Sequence, residues 1–361
     1  MPNVPSLELN KSINCDFARF KVIKLLGKGG FGAVYLVVET TTKKKYAVKT
    51  ELIPQNDAKF EPRLQWEETI LLEIQALQDV NQKKHFIKVV DRGVVTPLRF
   101  LLMTLVGKSL KDLIKASDEQ RFSNNTSWRV AGQTLEAIEA FHNAGFVHRN
   151  IKPHNFTIGA AGQEDIIFML DFGLVRCYTG KKFTNGIKDS PKFAGTIKYC
   201  SRSSHLSVFQ YPKDDLESWI MTVMEFHDHE ALFWGKESNI KEIKNLKNDL
   251  FISKEPKHIF SEFVPIGYKK LVTYIGDLTP SNLMKNPSEN MKMKINLAPI
   301  TQILTEIGIQ YNYSNTTPFD WQINNAKSNS SISIIRTHLK KKKHQKQKRA
   351  SIEKIIEVYE N

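Results

Sequence analysis

Three short stretches of this 361-residue chain contain residue types that suit phosphate chemistry. The first is Gly27-Lys28-Gly29-Gly30-Phe31-Gly32-Ala33-Val34. Glycines at 27, 29 and 32 let a backbone close over triphosphate oxygens, where a side chain would stand in the way. Such a turn also suits an ordinary hairpin or a dinucleotide site. A dinucleotide site needs a helix after the glycines. Here the β-prone run Ala33-Val34-Tyr35-Leu36-Val37-Val38 follows, which favours a flap between two strands. The second stretch is Ala47-Val48-Lys49, on the next strand; a lysine there is by itself equally an ordinary solvated residue. The third is a pair of loops. His148-Arg149-Asn150-Ile151-Lys152-Pro153-His154-Asn155 is followed by the apolar run Ile166 to Leu170, and then by Asp171-Phe172-Gly173.

The elements that must position these residues divide into two groups. Residues 1–18 read as a leader with little periodicity. Val22 to Leu26, Ala33 to Val38, Lys45 to Lys49, Phe86 to Val95 and Leu98 to Leu105 read as strands. Between them, Ile70, Leu71, Ile74 and Leu77 give Glu67 to Val80 a helical period. Residues 50–65 form a long connection. From Ser109 the chain turns helical, with Trp128 to Ala144 amphipathic and Leu216 to Phe226 nearly continuous in apolar character. Ile300 to Ile307 reads as another helix, with Gly308 as its stop. From residue 311 the composition becomes polar. The last ten residues carry Ile352, Ile355, Ile356 and Tyr359 at the spacing of a short docking helix.

In their order, spacing and strand context these stretches resemble those of eukaryotic protein kinases. More narrowly, the chain is similar to the casein kinase 1 and tau-tubulin kinase group, and most to its nematode-expanded members. The narrower signs are Leu105-Val106-Gly107-Lys108-Ser109-Leu110-Lys111-Asp112-Leu113, Ala194-Gly195-Thr196-Ile197-Lys198-Tyr199-Cys200-Ser201 and Asp214-Asp215-Leu216-Glu217-Ser218-Trp219. Most kinases carry A-P-E near the close of the activation segment; this group does not, and this chain has Ser201-Arg202-Ser203. The resemblance implies an α+β, bilobed protein-kinase fold. A small β-sheet N-lobe with one main helix would span 19–104, a larger and mostly helical C-lobe 105–310, and a polar, Lys-rich tail 311–361.

The resemblance also implies the roles. Lys49 would contact the α- and β-phosphates of ATP and pair with a helix glutamate. Glu67, Glu68 and Glu73 compete for that pairing. Glu73 is chosen, because Glu73-Ile74-Gln75-Ala76-Leu77 leads into His85-Phe86 at the family's spacing. Met103 resembles the gatekeeper, and Thr104 to Val106 the hinge that bonds adenine. Val34, Ala47 and Thr157 would wall the adenine pocket. Asn155 and Asp171 would hold Mg²⁺, Lys152 would neutralise the γ-phosphate, and Asp215 would anchor the catalytic loop.

Asn150 is the departure. The family's loop has the form H-R-D-x-x-x-x-N, and its Asp takes the proton of the substrate hydroxyl. An amide cannot accept a proton at neutral pH, and general-base catalysis is worth roughly 10²–10⁴-fold. Asn is nearly isosteric with Asp, so its carbonyl can still orient a hydroxyl. The expected activity is a Ser/Thr protein kinase with weak transfer. The alternative is a pseudokinase scaffold that acts by protein–protein interaction.

Composition bounds the remainder. No apolar run is long enough to span a bilayer, and the N-terminus does not read as a secretory signal. Three cysteines make no disulfide framework and suit a reducing interior, so an intracellular place, cytoplasm or nucleus, is expected. Of the net charge of +14, eight Lys/Arg with no acid lie between Arg336 and Arg349. That run suits anionic partners or import machinery. No aromatic interleaves it, so base stacking is not indicated. Arg176, Lys181, Lys182, Lys188, Lys192 and Lys198 would give the activation segment a positive field, favouring acidic or phosphorylated protein substrates.

Overall fold

The computed structural model describes residues 7–14, 18–29, 32–53, 62–179, 192–253, 261–279 and 296–324. Six antiparallel strands form the first layer: β1 (Ser12–Asn14), β2 (Arg19–Gly29), β3 (Gly32–Glu39), β4 (Lys45–Leu52), β5 (Val89–Val95) and β6 (Leu98–Thr104), in the order β1-β2-β3-β4-β6-β5. Alternation on β3 buries Ala33, Tyr35 and Val37, which pack with Phe20, Val48 and Leu102. β6 lies between two neighbours and is almost wholly buried, as a central strand must be. Helix α1 (Arg63–Gln75) packs on this sheet and a short α2 (Val80–Lys83) follows it. The Glu51 carboxylate of β4 accepts a bond from Leu64 N at 3.2 Å, so the sheet itself supplies the cap of α1.

The larger part is helical. It starts with β7 (Val106–Ser109) and α3 (Leu110–Ala116), then α4 (Asn124–Asn143), capped by Ser123. Short strands follow: β8 (Phe146–Val147), β9 (Phe156–Gly159), β10 (Ile167–Met169) and β11 (Arg176–Cys177). Then come α5 (Arg202–His205), α6 (Pro212–His227), α7 (Ile240–Ile252), α8 (Tyr268–Gly276) and α9 (Ala298–Gln310). α6 is buried along nearly its whole length, and Trp219 Nε1 donates to Thr134 Oγ1 of α4 at 3.0 Å. A cluster of Phe86, Phe141, Phe146, His148 and Phe172 lies under the two motif loops, with ring centroids 5.4–6.2 Å apart. The chain splits after Asn315 into a second unit, whose described part stacks Phe319 on Trp321 at 4.5 Å.

Three local expectations change. Residues 12–14 of the supposed leader form edge strand β1, because Ile13 alone enters the core and one apolar residue leaves no period to read. The helix after β4 runs from 63 to 75 rather than from 67 to 80. Gly308 does not stop its helix, which continues to Gln310. It is a close-packing position instead: a Cβ there would lie 2.4 Å from the Trp128 ring. The docking helix read at 352–359 and the Lys-rich run lie outside the described residues.

His227, at the end of α6, is fully buried. Its Nδ1–H donates to Asn124 Oδ1 at 2.9 Å, and its ring meets Tyr268 edge-on at 4.9 Å. Burial, with Arg121 nearby, pushes its pKa down to about 3, against 6.5 in an open chain. A base depressed in the fold stabilises fully above the unfolded value and loses that contribution as pH falls toward the folded one. The melting temperature should therefore drop between pH 6.5 and 4, and His227→Phe should flatten that slope in a thermal-unfolding series.

Candidate active site

One cavity of about 380 Å³ lies between the sheet and the helical part. Gly27, Val34, Ala47, Lys49, Met103, Thr104, Val106, Asn155, Thr157 and Asp171 all line it. The sequence reading named each of these, and tertiary contact brings them to one space. Leu26, Ile87 and Leu170 line it too and were not singled out. Their signal, an apolar residue in a strand or beside one, is shared by the whole core. Gly29 and Gly32 do not line the cavity. A Cβ on Gly29 would meet nothing within 4 Å. On Gly32 it would lie 1.7 Å from the Thr50 carbonyl oxygen, so that glycine is required by the close approach of β4.

Lys49 lies on β4 opposite Val34 of β3. Its Nζ is 2.5 Å from Glu67 Oε2 and 3.5 Å from Asp171 Oδ1. The expected partner, Glu73, is thus corrected to Glu67. On α1 the buried positions are 64, 66, 67, 70, 71 and 74, one broad stripe at helical spacing. Glu73 lies off that stripe, about 120° around the helix from Glu67. Helix α1 begins earlier than the periodicity suggested, and this moves the glutamate that faces the sheet. Burial opposes the charge of Lys49, but the carboxylates of Glu67 and Asp171 outweigh it and raise its pKa above the ordinary lysine value. Lys49 therefore stays cationic at any physiological pH.

The catalytic-type loop is held from below. Asp215, buried on α6, accepts from His148 N at 2.7 Å, Arg149 N at 2.8 Å and His142 Nε2 at 2.9 Å. His148 Nε2 donates to Leu170 O at 3.0 Å, and its Nδ1 accepts from Asn150 N at 3.2 Å. Those partners fix a neutral tautomer. Burial lowers the His148 pKa, which agrees. Arg149 and Asp171 have φ of +64° and +68°, left-handed values that non-glycine residues rarely adopt. Such strain persists where surrounding bonds over-determine it.

Asn150 is buried, and both ends of its amide are used. Nδ2 donates to Asp171 Oδ2 at 3.3 Å, and Oδ1 accepts from Thr196 Oγ1 at 3.0 Å. Only the NH₂ end can face a carboxylate, so the orientation follows from the partners. Lys152 Nζ donates to Thr196 Oγ1 at 2.9 Å. Thr196 is a site residue that sequence reading passed over; it served there only as part of the segment's closing pattern. Asn155 Nδ2 donates to Asn150 O at 2.8 Å, which leaves its Oδ1 as the ligating atom. Burial acts against the Asp171 carboxylate, but Lys49 and Lys152 keep its pKa below the usual value.

This set fits ATP and Mg²⁺. Asp171 and Asn155 offer hard oxygen ligands for a magnesium ion. Lys49 is a fixed cation for phosphate. The hydroxyl of Thr157, which lines the cavity, is buried without a protein partner. Of the six cations expected around the activation segment, Arg176, Lys192 and Lys198 are described. Lys198 Nζ lies 3.4 Å from buried Glu225, and the Arg176 guanidinium lies over the Phe209 and Tyr211 rings. Lys181, Lys182 and Lys188 lie outside the described residues.

A β-strand lysine paired with a helix glutamate, above an anchored His-Arg-x loop and an Asp-Phe-Gly turn, defines a protein kinase. The chain belongs to the protein kinase domain family, which matches residues 20–358. It is 29% identical over 324 residues to the serine/threonine-protein kinase spe-6 of Caenorhabditis elegans, covering 88% of this chain and 79% of that kinase. It is 32% identical over 239 residues to the putative serine/threonine-protein kinase ZK507.3 of the same organism, covering 64% of this chain and 59% of that protein. A probable serine/threonine-protein kinase of Dictyostelium discoideum is 26% identical over 310 residues, 84% of this chain and 57% of that one. Among the described residues no helix is long and apolar enough to cross a membrane.

Glu67→Ala should lower stability by about 1–3 kcal/mol, because it strips a half-buried ammonium of its nearest partner. Glu73→Ala should cost less than Glu67→Ala, because Glu73 does not face Lys49. Urea unfolding of the two variants checks the reassignment.

Proposed function

We propose that this chain is an ATP·Mg²⁺-dependent Ser/Thr protein kinase of the casein kinase 1 and tau-tubulin kinase group whose transfer is slowed by Asn150. One observation carries the reading. Lys49, Glu67, Asn155 and Asp171 line one cavity, Asn150 is bonded to Asp171 beside it, and an amide offers no proton acceptor. Lys49 is charged and held by Glu67. Asp171 and Asn155 would hold Mg²⁺, which supplies neutralisation of phosphate charge. Lys152 and Thr196 together bracket the place of an acceptor hydroxyl beside Asn150. Asn150 Oδ1 can orient that hydroxyl but cannot keep its proton. Phosphoryl transfer passes through a loose transition state in which positioning and electrostatics carry most of the catalysis. Weak transfer is therefore compatible with an amide.

A second reading, a pseudokinase scaffold, is favoured by the Asn150 Nδ2–Asp171 bond. That bond satisfies a carboxylate oxygen that a metal would otherwise take. Acidic or phosphorylated substrates remain part of the first reading, with a different source for the field. Burial lowers the His154 pKa and Lys152, Lys111 and Lys115 lower it further; Lys111 is paired with Glu225, so Lys152 and Lys115 are the cations that act beside the catalytic loop. An intracellular place, cytoplasm or nucleus, is supported by free Cys177 and Cys200. The Lys-rich run at 336–349 would serve anionic partners or import machinery.

ATP with Mg²⁺ should raise the melting temperature, and Asp171→Ala should abolish the rise. No shift at millimolar nucleotide in the parent protein would sink the nucleotide assignment. Asn150→Asp should raise the transfer rate by about one to three decades, the span of a general base. The gain should need Mg²⁺, since an aspartate at 150 stands beside the Asp171 carboxylate. An inactive Asn150→Asp protein with unchanged ATP affinity would leave the scaffold reading in its place.

A further inference from the structure

Lys247 on α7 is fully buried, and among the described residues no carboxylate lies within ion-pair distance of it. Nearby Glu217 is already taken by Arg202 at 2.8 Å and Lys213 at 2.8 Å. A buried ammonium without a counter-ion is costly, and such a group normally neutralises or acquires strong acceptors. Lys247 has acceptors. Its Nζ donates to Ile197 O at 2.6 Å and Cys200 O at 2.8 Å, and lies 3.2 Å from His205 Nε2. The Cys200 Sγ lies 3.6 Å away as a fourth, weaker partner, so the three ammonium protons meet only neutral groups. Two of these are backbone carbonyls of a single turn.

That turn is the close of the activation segment. Tyr199 N and Cys200 N both donate to Thr196 O at 2.8 Å, and Trp234 Nε1 takes the Lys198 carbonyl at 2.8 Å. The carbonyls of residues 197, 198 and 200 are therefore all held by residues beyond α6, and Lys247 holds two of them. At the other end of the turn is Thr196, whose hydroxyl joins Asn150 to Lys152. Lys247 is not among the residues lining the nucleotide cavity.

We propose that Lys247 is a positioning residue of the phosphoacceptor site: its ammonium sets the Thr196–Cys200 turn, and the turn sets the Thr196 hydroxyl against Asn150 and Lys152. The proposal rests on the kinase reading for its functional meaning, and on the hydrogen bonds alone for its structural part. Burial, eased by Cys200 and Glu217, brings the Lys247 pKa down to about 8, so the clamp is charged at neutral pH. Its effect falls on the protein substrate and spares the nucleotide, because it reaches the site only through the turn.

The test is Lys247→Met, which keeps the length and shape of the side chain and removes its donors. Amide hydrogen exchange is read first. Exchange at Tyr199 and Cys200 should accelerate about tenfold or more, as expected for losing bonds to a charged donor. Exchange along Trp219–Val223 of α6 should stay within about twofold of the parent. Steady-state kinetics in the Asn150→Asp background, with dephosphorylated casein as acceptor, are read second. The KM for casein should rise about tenfold while the KM for ATP stays within about twofold. Uniform acceleration across α6 and the turn would make Lys247 a general folding residue and overturn the proposal. An unchanged casein KM in an active protein would do the same. If no form of the protein transfers phosphate, the kinase reading has failed, and the exchange pattern alone decides. Should Lys247→Met fail to fold, His205→Phe removes the 3.2 Å contact with Lys247 and the 3.4 Å contact with Cys200 Sγ, and leaves both carbonyl bonds of Lys247 in place. Faster exchange confined to the same two amides then supports the clamp, and unchanged exchange overturns it.

Discussion

The buried carboxylate of Asp215 is the constraint on which the site depends. A charge taken out of water must be repaid by bonds, and Asp215 collects two backbone N–H groups of the His148–Arg149 segment and the ring of His142. Arg149 is thereby kept at a left-handed φ that it would not hold alone. The loop then leaves the α6 surface in the one direction that places Asn150, Lys152 and Asn155 beneath the cavity. His148 couples this anchor to the next motif, because it bonds Leu170 O and packs on Phe172. Two loops separated by a strand are held as one unit by a helix more than sixty residues downstream of the first.

Above that unit the electrostatics are shared among few groups. Lys49 bridges Glu67 and Asp171, so α1, β4 and the Asp-Phe-Gly turn are tied through one ammonium. Trp66 adds a second tie from α1, donating to Val175 O at 2.9 Å. Asn150 belongs to the same balance. A carboxylate in its place would stand about 3.3 Å from Asp171 Oδ2, and two like charges at that distance disfavour each other. The amide removes that repulsion and adds a bond. The site is quieter for it, and an amide accepts no proton at neutral pH. Stability gained where catalysis would need strain is a familiar exchange in enzymes.

The same logic runs through the activation segment's close. Lys247 and Trp234 hold its carbonyls, Ser204 Oγ donates to Ala194 O at 2.6 Å, and Glu217 binds Arg202. The segment ends without the A-P-E pattern of most kinases, and its anchoring is met by these other bonds. The activation segment's close is thus held from α5 to α7, and the cavity is walled by the sheet and α1 above and by the two motif loops below.

Much of this was determined by the sequence itself. The strand periods, the glycine turn, and the order of Lys49, Asn150, Asn155 and Asp171 follow from local chemistry, and local chemistry is what a sequence displays. So does the Asn150 substitution, which is visible without any coordinates. Tertiary structure decided what depends on where an element starts and what it packs against. Glu67 rather than Glu73 meets Lys49 because α1 begins at residue 63 and turns that glutamate toward the sheet. β1 exists because the neighbouring β2 offers it an edge, and its single buried Ile13 has no sequence period to announce it. Gly308 continues a helix because Trp128 lies against it. The partners of Asn150, Thr196 and Lys247 are distant in sequence and near in space. A buried polar group declares its purpose only through the groups that satisfy it, and those are assembled by folding.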